Sequence, residues 1–462
     1  MKQVFFVLVI FSMFYMASIA QNKGDEQAMQ QFQDSKFGLF IHWGLYSQTA
    51  GLWKGVPSRG GEHFMLYEKI PLKEYAAIAK EFNPTQFNAT QWVKTAKQAG
   101  MKYIVFTTKH HDGFAMYDSK VSDYNIVKTT PYGKDPLKEL AKACKDEGIM
   151  LGLYYSLGRD WEDPDVPTNW PEKAGRSNTW DYPDEDAKDL NAYIERKVKP
   201  QLVELLTNYG DIAMIWFDTP ELVTEKQSGE IRELIESIQP TCLINSRIGN
   251  NLGDYSIKEQ QLTDEINPNP WETCITMGKN WGYNQFDTVY KEPEILIRSF
   301  VDVVSKGGNL LLNIGPTRKG TFPSLTRPGL DSFHNWMEIN SEAIYETRPW
   351  HIFGEDFSEN QQRETVDKEF HDAVFDAIPK DKYPDFRFTT KEGCLYIIAR
   401  HVYDTDFVIK SLDKTRNIKQ IGLLDEGYQL NWEYVDGGVR IQVPSDMIQK
   451  QTIPIYTIKV EL

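Results

Sequence analysis

Phe37-Gly38-Leu39-Phe40-Ile41-His42-Trp43, residues 37–43, decides the fold: five consecutive non-polar residues, then a break to histidine. A half-buried strand alternates apolar with polar residues, whereas a strand covered on both faces does not. Parallel strands of α/β proteins are of the second kind. The pattern recurs at Tyr103–Phe106, Met150–Tyr155, Ile212–Phe217, Leu243-Ile244 and Leu310–Ile314. Between these runs lie amphipathic stretches. Leu137, Leu140, Ala141 and Cys144 are spaced i, i+3, i+4, i+7, as are Ile231, Leu234, Ile235 and Ile238, the spacing of one helix face. Asp135-Pro136 reads as a helix start and Gly148 as a stop. The repetition from Lys36 to about Trp350 predicts an irregular, TIM-like (β/α) barrel.

After Trp350 the pattern changes. Lys391–Arg400, Thr405–Lys410, Ile441–Val443 and Ile453–Val460 read as short strands between turns, which predicts an antiparallel β-sandwich. Eleven of the 12 tryptophans precede residue 351, and only Trp432 follows. The expected division is a leader over 1–20, a barrel over 21–352 and a sandwich over 353–462. The leader reading rests on Lys2, the apolar run Val4–Ala17 and the small residues of Ser18-Ile19-Ala20. That is the layout of a secretory signal, with Gln21 as the mature start and a periplasmic or secreted product. The apolar run is too short for a bilayer span, and no later segment qualifies.

With 51 Lys+Arg against 66 Asp+Glu, the formal charge of −15 repels phosphate backbones and argues against a nucleic-acid partner. Cys144, Cys242, Cys274 and Cys394 show neither paired CxxC spacing nor the density of a disulfide scaffold, and read as small apolar residues. Oligomeric state leaves no mark in the sequence.

In a parallel barrel, chemistry sits at the C-terminal ends of strands. Here the runs end in His42-Trp43, Lys109-His110-His111-Asp112, Tyr154-Tyr155-Ser156, Trp216-Phe217-Asp218 and Asn245-Ser246-Arg247. Only eight histidines occur in the chain, yet three stand at these ends. Aromatic rings beside carboxylates suit a sugar, whose C–H faces stack while its hydroxyls are hydrogen-bonded. Asp218 is the sharpest residue, although an Asp after a strand is often a helix cap. His110-His111-Asp112 has the chemistry of a metal site. Adjacent strand residues point to opposite faces, however, and Lys109 beside them repels a cation, so no metal and no cofactor is expected.

The segments Lys36–Ser47, Thr108–Phe114, Gly152–Ser156, Trp216–Asp218, Trp271–Cys274, Trp281–Tyr283 and Gly308–Pro316 together resemble glycoside hydrolase family 29, the retaining α-L-fucosidases. The resemblance implies a (β/α) barrel followed by a β-sandwich, and a fucosylated oligosaccharide or glycoconjugate as substrate. It implies that Asp218 is the nucleophile and that His42, His110 and His111 bind fucose hydroxyls. It also makes Tyr155, Trp216 and Trp281 pocket aromatics, Arg247 a pocket arginine and Glu62 a sugar-binding glutamate. Where the family usually has Trp beside that glutamate, this chain has His63-Phe64. Where its motif is often Trp-Phe-Asp-Gly, this chain has Thr219.

The acid/base has no fixed family motif. Glu259, at the end of Gly253–Glu259, is the favoured residue, and Glu272 in Trp271–Cys274 is the alternative, with Asp264 and Glu265 as outsiders. Retention needs one carboxylate to attack and one carboxylic acid to protonate the leaving oxygen. Asp218 is expected to be ionised and Glu259 to have a raised pKa. The rival readings are a glycosidase for a related sugar such as an α-L-galactoside, a fucose-binding protein without catalysis, and a metal-dependent hydrolase. The loop Trp161–Tyr182 is expected to shape the aglycone side.

Overall fold

A computed structural model describes residues 26–58, 60–168, 177–356, 385–400, 404–425, 428–449 and 453–462. The expected leader, residues 1–20, lies outside them. Eight strands follow one another around a single parallel sheet: β1 (Phe37–Ile41), β2 (Tyr103–Lys109), β3 (Met150–Ser156), β4 (Met214–Asp218), β5 (Leu243–Ile244), β6 (Ser256–Glu259), β7 (Trp271–Thr276) and β8 (Asn309–Ile314). The sheet order is β5-β4-β3-β2-β1-β8-β7-β6. Its two edges meet in one parallel bridge, Asn245 to Tyr255, where Ser246 N donates to Tyr255 O and Asp254 N to Ile244 O. No α-helix separates β5 from β6, which are joined through one 3-10 turn over Ser246–Ile248, or β6 from β7. The irregularity of this barrel is concentrated at that seam.

Helices α1 (Ala89–Gln98), α2 (Pro136–Glu147), α3 (Lys199–Asn208), α4 (Glu225–Ile238), α5 (Pro293–Ser305) and α6 (Arg327–Asn340) accompany the strands. The Asp135 side chain caps α2 by accepting from Lys138 N, and Gly148 ends it in the left-handed conformation. Outward-facing strand residues such as Leu39, Phe106, Leu153, Ile215 and Leu312 pack against the helices. The alternate set, including Phe40, Tyr103, Tyr154, Met214, Trp216 and Cys274, fills the lumen. A helix over residues 26–35 brings Phe32 into the bottom of the barrel, its ring 4.5 Å from that of Tyr255.

The C-terminal strands are β9 (Arg348–Asp356), β10 (Asp385–Lys391), β11 (Cys394–Arg400), β12 (Asp406–Ile409), β13 (Gln420–Leu423), β14 (Asn431–Val435), β15 (Gly438–Gln442) and β16 (Ile455–Glu461). They form two antiparallel sheets, ordered β9-β10-β11-β16-β13 and β12-β15-β14, around a second core. The expected boundary at 352/353 falls inside β9, whose first residues already pair with β10. The strand expected over 391–400 is β11 from Cys394 onward, while Lys391 ends β10. Glu392 and Gly393 take positive φ (45° and 79°) and turn the chain between β10 and β11. The four cysteines are unpaired, three of them buried.

Candidate active site

Strand parity places Asp218. Met214, Trp216 and Asp218 lie two apart on β4, so all three side chains enter the lumen side, with Asp218 uppermost at the mouth. Asp218 Oδ1 accepts from Arg247 Nη1 at 2.7 Å and from Thr219 N at 2.9 Å. Oδ2 accepts from the Tyr154 hydroxyl at 2.9 Å. Burial pushes this carboxyl up, but Arg247, Arg159 and the Tyr154 hydrogen bond outweigh it and hold the pKa below the ordinary aspartate value. Thr219 has φ 58°, a conformation usually taken by Gly. Its hydroxyl donates to Asp218 O, fastening the turn where the family motif often has glycine.

Arg247 comes from the short turn after β5, and its other Nη donates to Glu259 Oε2. One guanidinium therefore joins Asp218 and Glu259. Its Cζ stands 5.0 Å from the Trp216 ring centre, and that indole stacks on Tyr154 with centroids 5.6 Å apart.

Three histidines pack against Tyr154 and Asp218. His42 Nδ1 donates to Asn313 Oδ1 at 2.7 Å, and burial lowers its pKa to about 4. The imidazole is thus neutral, with Nε2 left as an acceptor for a hydroxyl. His111 Nδ1 lies 2.7 Å from Ser156 Oγ, and that hydroxyl donates to Arg159 O, so His111 is the donor. Its Nε2 faces Asp218 Oδ2 at 3.6 Å. His110 stacks on Tyr154 at 5.4 Å, and its buried Nδ1 has no hydrogen-bond partner among the described residues. Burial holds both His110 and His111 well below the usual histidine pKa.

Glu62 Oε2 accepts from Gly282 N and Oε1 from His63 Nδ1, each at 2.8 Å. Burial raises its pKa, and those bonds with the nearby histidines bring it below the ordinary glutamate value. His63 fills the place where the family usually has Trp, with its ring 5.2 Å from His111 and 5.9 Å from Trp161. Trp281 closes this side, 5.1 Å from His42, and its carbonyl is held by Asn313 Nδ2.

Of the residues singled out in the sequence, Asp218, Glu259, Arg247, His42, His110, His111, Glu62, Trp216 and Trp281 meet at the mouth. Two do not. The expectation for Tyr155 is corrected: it points away from the lumen, donating to Gln201 of α3 at 2.7 Å under the Lys109 ammonium. Its neighbour Tyr154 takes the place in the site, because adjacent strand residues face opposite sides. Glu272 lies on the lumen floor, fully buried, near the start of β7. It accepts from Tyr103 OH at 2.6 Å and Trp216 Nε1 at 2.8 Å, and burial raises its pKa to about 7.

Nor do His110 and His111 face apart, as alternation along a strand predicts. A register shift between Thr107 and Lys109 turns Lys109 outward, where it meets Asp160 at 3.0 Å. The two histidines follow the strand's end and both enter the mouth, with centroids 4.2 Å apart. Among the described residues no three His, Cys, Asp or Glu side chains are grouped to hold a metal ion. Nor is any described helix long and apolar enough to cross a membrane. Tyr154 and Asn313 are site residues that sequence reasoning missed. Tyr154 stood in a strand-end motif, but nothing local distinguished it from Tyr155.

Two carboxyl groups at the mouth of a (β/α) barrel, ringed by neutral histidines and aromatics, define a sugar-processing site of the glycoside hydrolase class. The family model described as Alpha-L-fucosidase matches residues 12–342. The tissue α-L-fucosidase of Mus musculus is 31% identical over 423 residues, 87% of this chain and 84% of the mouse protein. The plasma α-L-fucosidase of Homo sapiens is 30% identical over 448 residues, covering 89% and 85%. Among solved structures, α-L-fucosidase isoenzyme 1 from Paenibacillus thiaminolyticus matches with TM-score 0.79 and 32% identity, over 95% of this chain and 99% of its own. An α-L-fucosidase from Lactobacillus casei in complex with α-L-fucose product gives 0.65 and 40%, over 68% and 99%. The chain belongs to the α-L-fucosidase family and is a glycoside hydrolase acting on fucosylated glycans.

Proposed function

We propose that this enzyme cleaves α-L-fucosyl linkages with retention, Asp218 acting as nucleophile and Glu259 as acid/base. The observation that carries the reading is the Arg247 fork, which joins both carboxylates at the mouth. Asp218 attacks the anomeric carbon as the bond to the leaving oxygen breaks, and Glu259 gives that oxygen its proton. Glu259 then removes a proton from water, which attacks the fucosyl-enzyme and returns Asp218 as carboxylate. The charge on Asp218 is supported by Arg247, Arg159 and Tyr154. Neutral His42, His110 and His111, with Glu62, are the partners for sugar hydroxyls. Glu272 has both oxygens engaged beneath Trp216, which speaks for Glu259.

Proton NMR of the first product tests the stereochemistry: α-L-fucose appears first for retention, and β-L-fucose would refute it. Asp218→Gly should abolish turnover of an aryl α-L-fucoside, and full activity would remove Asp218 from its role. Azide should rescue Glu259→Ala on an activated substrate, whereas rescue of Glu272→Ala alone would transfer the role. We further infer export with cleavage after Ala20, on the signal-like residues 2–20. N-terminal sequencing of the extracytoplasmic protein should begin at Gln21.

A further inference from the structure

Glu272 is a buried carboxyl with no part in the proposed chemistry, yet its surroundings are closely built. Tyr103 and Trp216 each aim one donor at it. Gly38 leaves the room that the Tyr103 ring occupies, since a Cβ there would stand 2.3 Å from Cε2 of that ring. The Trp216 indole above carries two neighbours. Tyr154, stacked on it, holds Asp218 Oδ2, and Arg247, over its ring, holds Asp218 Oδ1 and Glu259. The side-chain hydrogen-bond donors to both Asp218 oxygens thus rest on one indole. The only polar atom of that indole is tied to Glu272.

We propose that Glu272 is a positioning residue that fixes Asp218, by way of Tyr154 and Arg247, through the Trp216 indole, without touching substrate. The inference rests on the reading of Asp218 and Glu259 given above. Without an acceptor, the indole N–H is orphaned in an apolar lumen, and the ring gains by tilting toward another partner. Tyr154 and Arg247 follow it. A displacement of about 1 Å at reacting atoms costs on the order of 10²-fold in rate.

The experiment compares Glu272→Leu, Glu272→Gln and Trp216→Phe on aryl α-L-fucosides whose leaving groups differ widely in acidity. Glu272→Leu should lower kcat by about 10²-fold, equally for all leaving groups and without rescue by azide. Glu272→Gln keeps an acceptor for the indole and should restore most of the activity. Trp216→Phe keeps a ring but removes the N–H. It should lower kcat with the same flat dependence, and combining it with Glu272→Leu should add little. Unchanged kcat in a folded Glu272→Leu overturns the proposal and leaves Glu259 untouched. So does a loss in Glu272→Gln as large as in Glu272→Leu. If Glu272→Leu does not fold, full activity of Trp216→Phe overturns it instead. A loss that steepens with poorer leaving groups and is rescued by azide makes Glu272 the acid/base, overturning the Glu259 assignment as well.

Discussion

Arg247 Nη1 lies 2.7 Å from Asp218 Oδ1, a charge-assisted hydrogen bond at the mouth of the barrel. Arg247 is the largest influence drawing Asp218 below the ordinary aspartate range against the opposing effect of burial. Lysine carries the charge but not the planar fork, and cannot span Asp218 and Glu259 in the same way. Arg247→Lys should therefore raise the Asp218 pKa and leave less of it ionised on the acid side. The expected result is an acid limb of kcat/KM displaced to higher pH, with a lower plateau. A pH–rate profile of the two enzymes decides it, and an unmoved limb would count against this role.

Asn245 gives a second prediction, about the backbone under the nucleophile. Strand β5 has only two residues, and beyond it the main chain leaves to bridge Tyr255. The Asn245 side chain replaces the missing ladder: Oδ1 accepts from Phe217 N at 3.0 Å and Nδ2 donates to Phe217 O at 2.9 Å. Asn245→Ala orphans two buried backbone groups one residue before Asp218, at about 1–3 kcal/mol each. Urea unfolding should show a midpoint lowered to match, and kcat should fall with it. Asn245→Asp keeps the acceptor and loses the donor, so it should fall between the two.

These contacts mark how far the sequence could be read. The apolar runs at residues 37–41 and 103–106 declared buried parallel strands because no polar residue interrupts them. The same lack of alternation hides which face is which. Tyr154 and Tyr155 were indistinguishable until the partner strands fixed the parity. The register shift before Lys109 has no local signature, and it is what brings His110 and His111 together. Glu272 and Asp218 both sit in aromatic strand motifs. Only position along the strand separates a floor residue from a mouth residue, and that depends on register set from far away. Seam residues such as Asn245 are legible only once two strands are seen to be too short.

The buried histidines set a pH window for stability. His42 is held near pKa 4 in the fold against about 6.5 in the unfolded chain. Between these values the unfolded chain binds more protons, so stability rises with pH and is lost as pH falls from about 6.5 toward 4. Burial gives His110 and His111 the same sign. Glu272, raised to about 7, works the other way: the folded state holds the extra proton, and stability falls as pH rises toward 7. The comparison must therefore be made against a variant. His42→Asn should lose less stability between pH 6.5 and 5 than the parent enzyme, by up to about 2 kcal/mol, in chemical denaturation at each pH.

Asp302 on α5 ties the barrel to the sandwich, and its removal gives the last prediction. Its Oδ1 accepts from Arg387 Nε of β10 at 2.7 Å and lies 3.6 Å from Arg400 of β11. Oδ2 accepts from Lys306 Nζ at 2.6 Å. Burial pushes the carboxyl up, and these three cations bring it well below the ordinary aspartate range. Its stabilising contribution is therefore present above the unfolded pKa, about 3.8–3.9, and is lost as pH falls below it. Asp302→Ala leaves buried cations without their carboxylate, a change that costs about 3–5 kcal/mol. Because the three partners sit on both sides of the junction, the loss should fall on the contact between barrel and sandwich. Calorimetry should show the melting temperature lowered and the transition broadened or split. The aryl-fucoside kcat measured well below that transition should stay near the parent value, since no residue of this cluster belongs to the site.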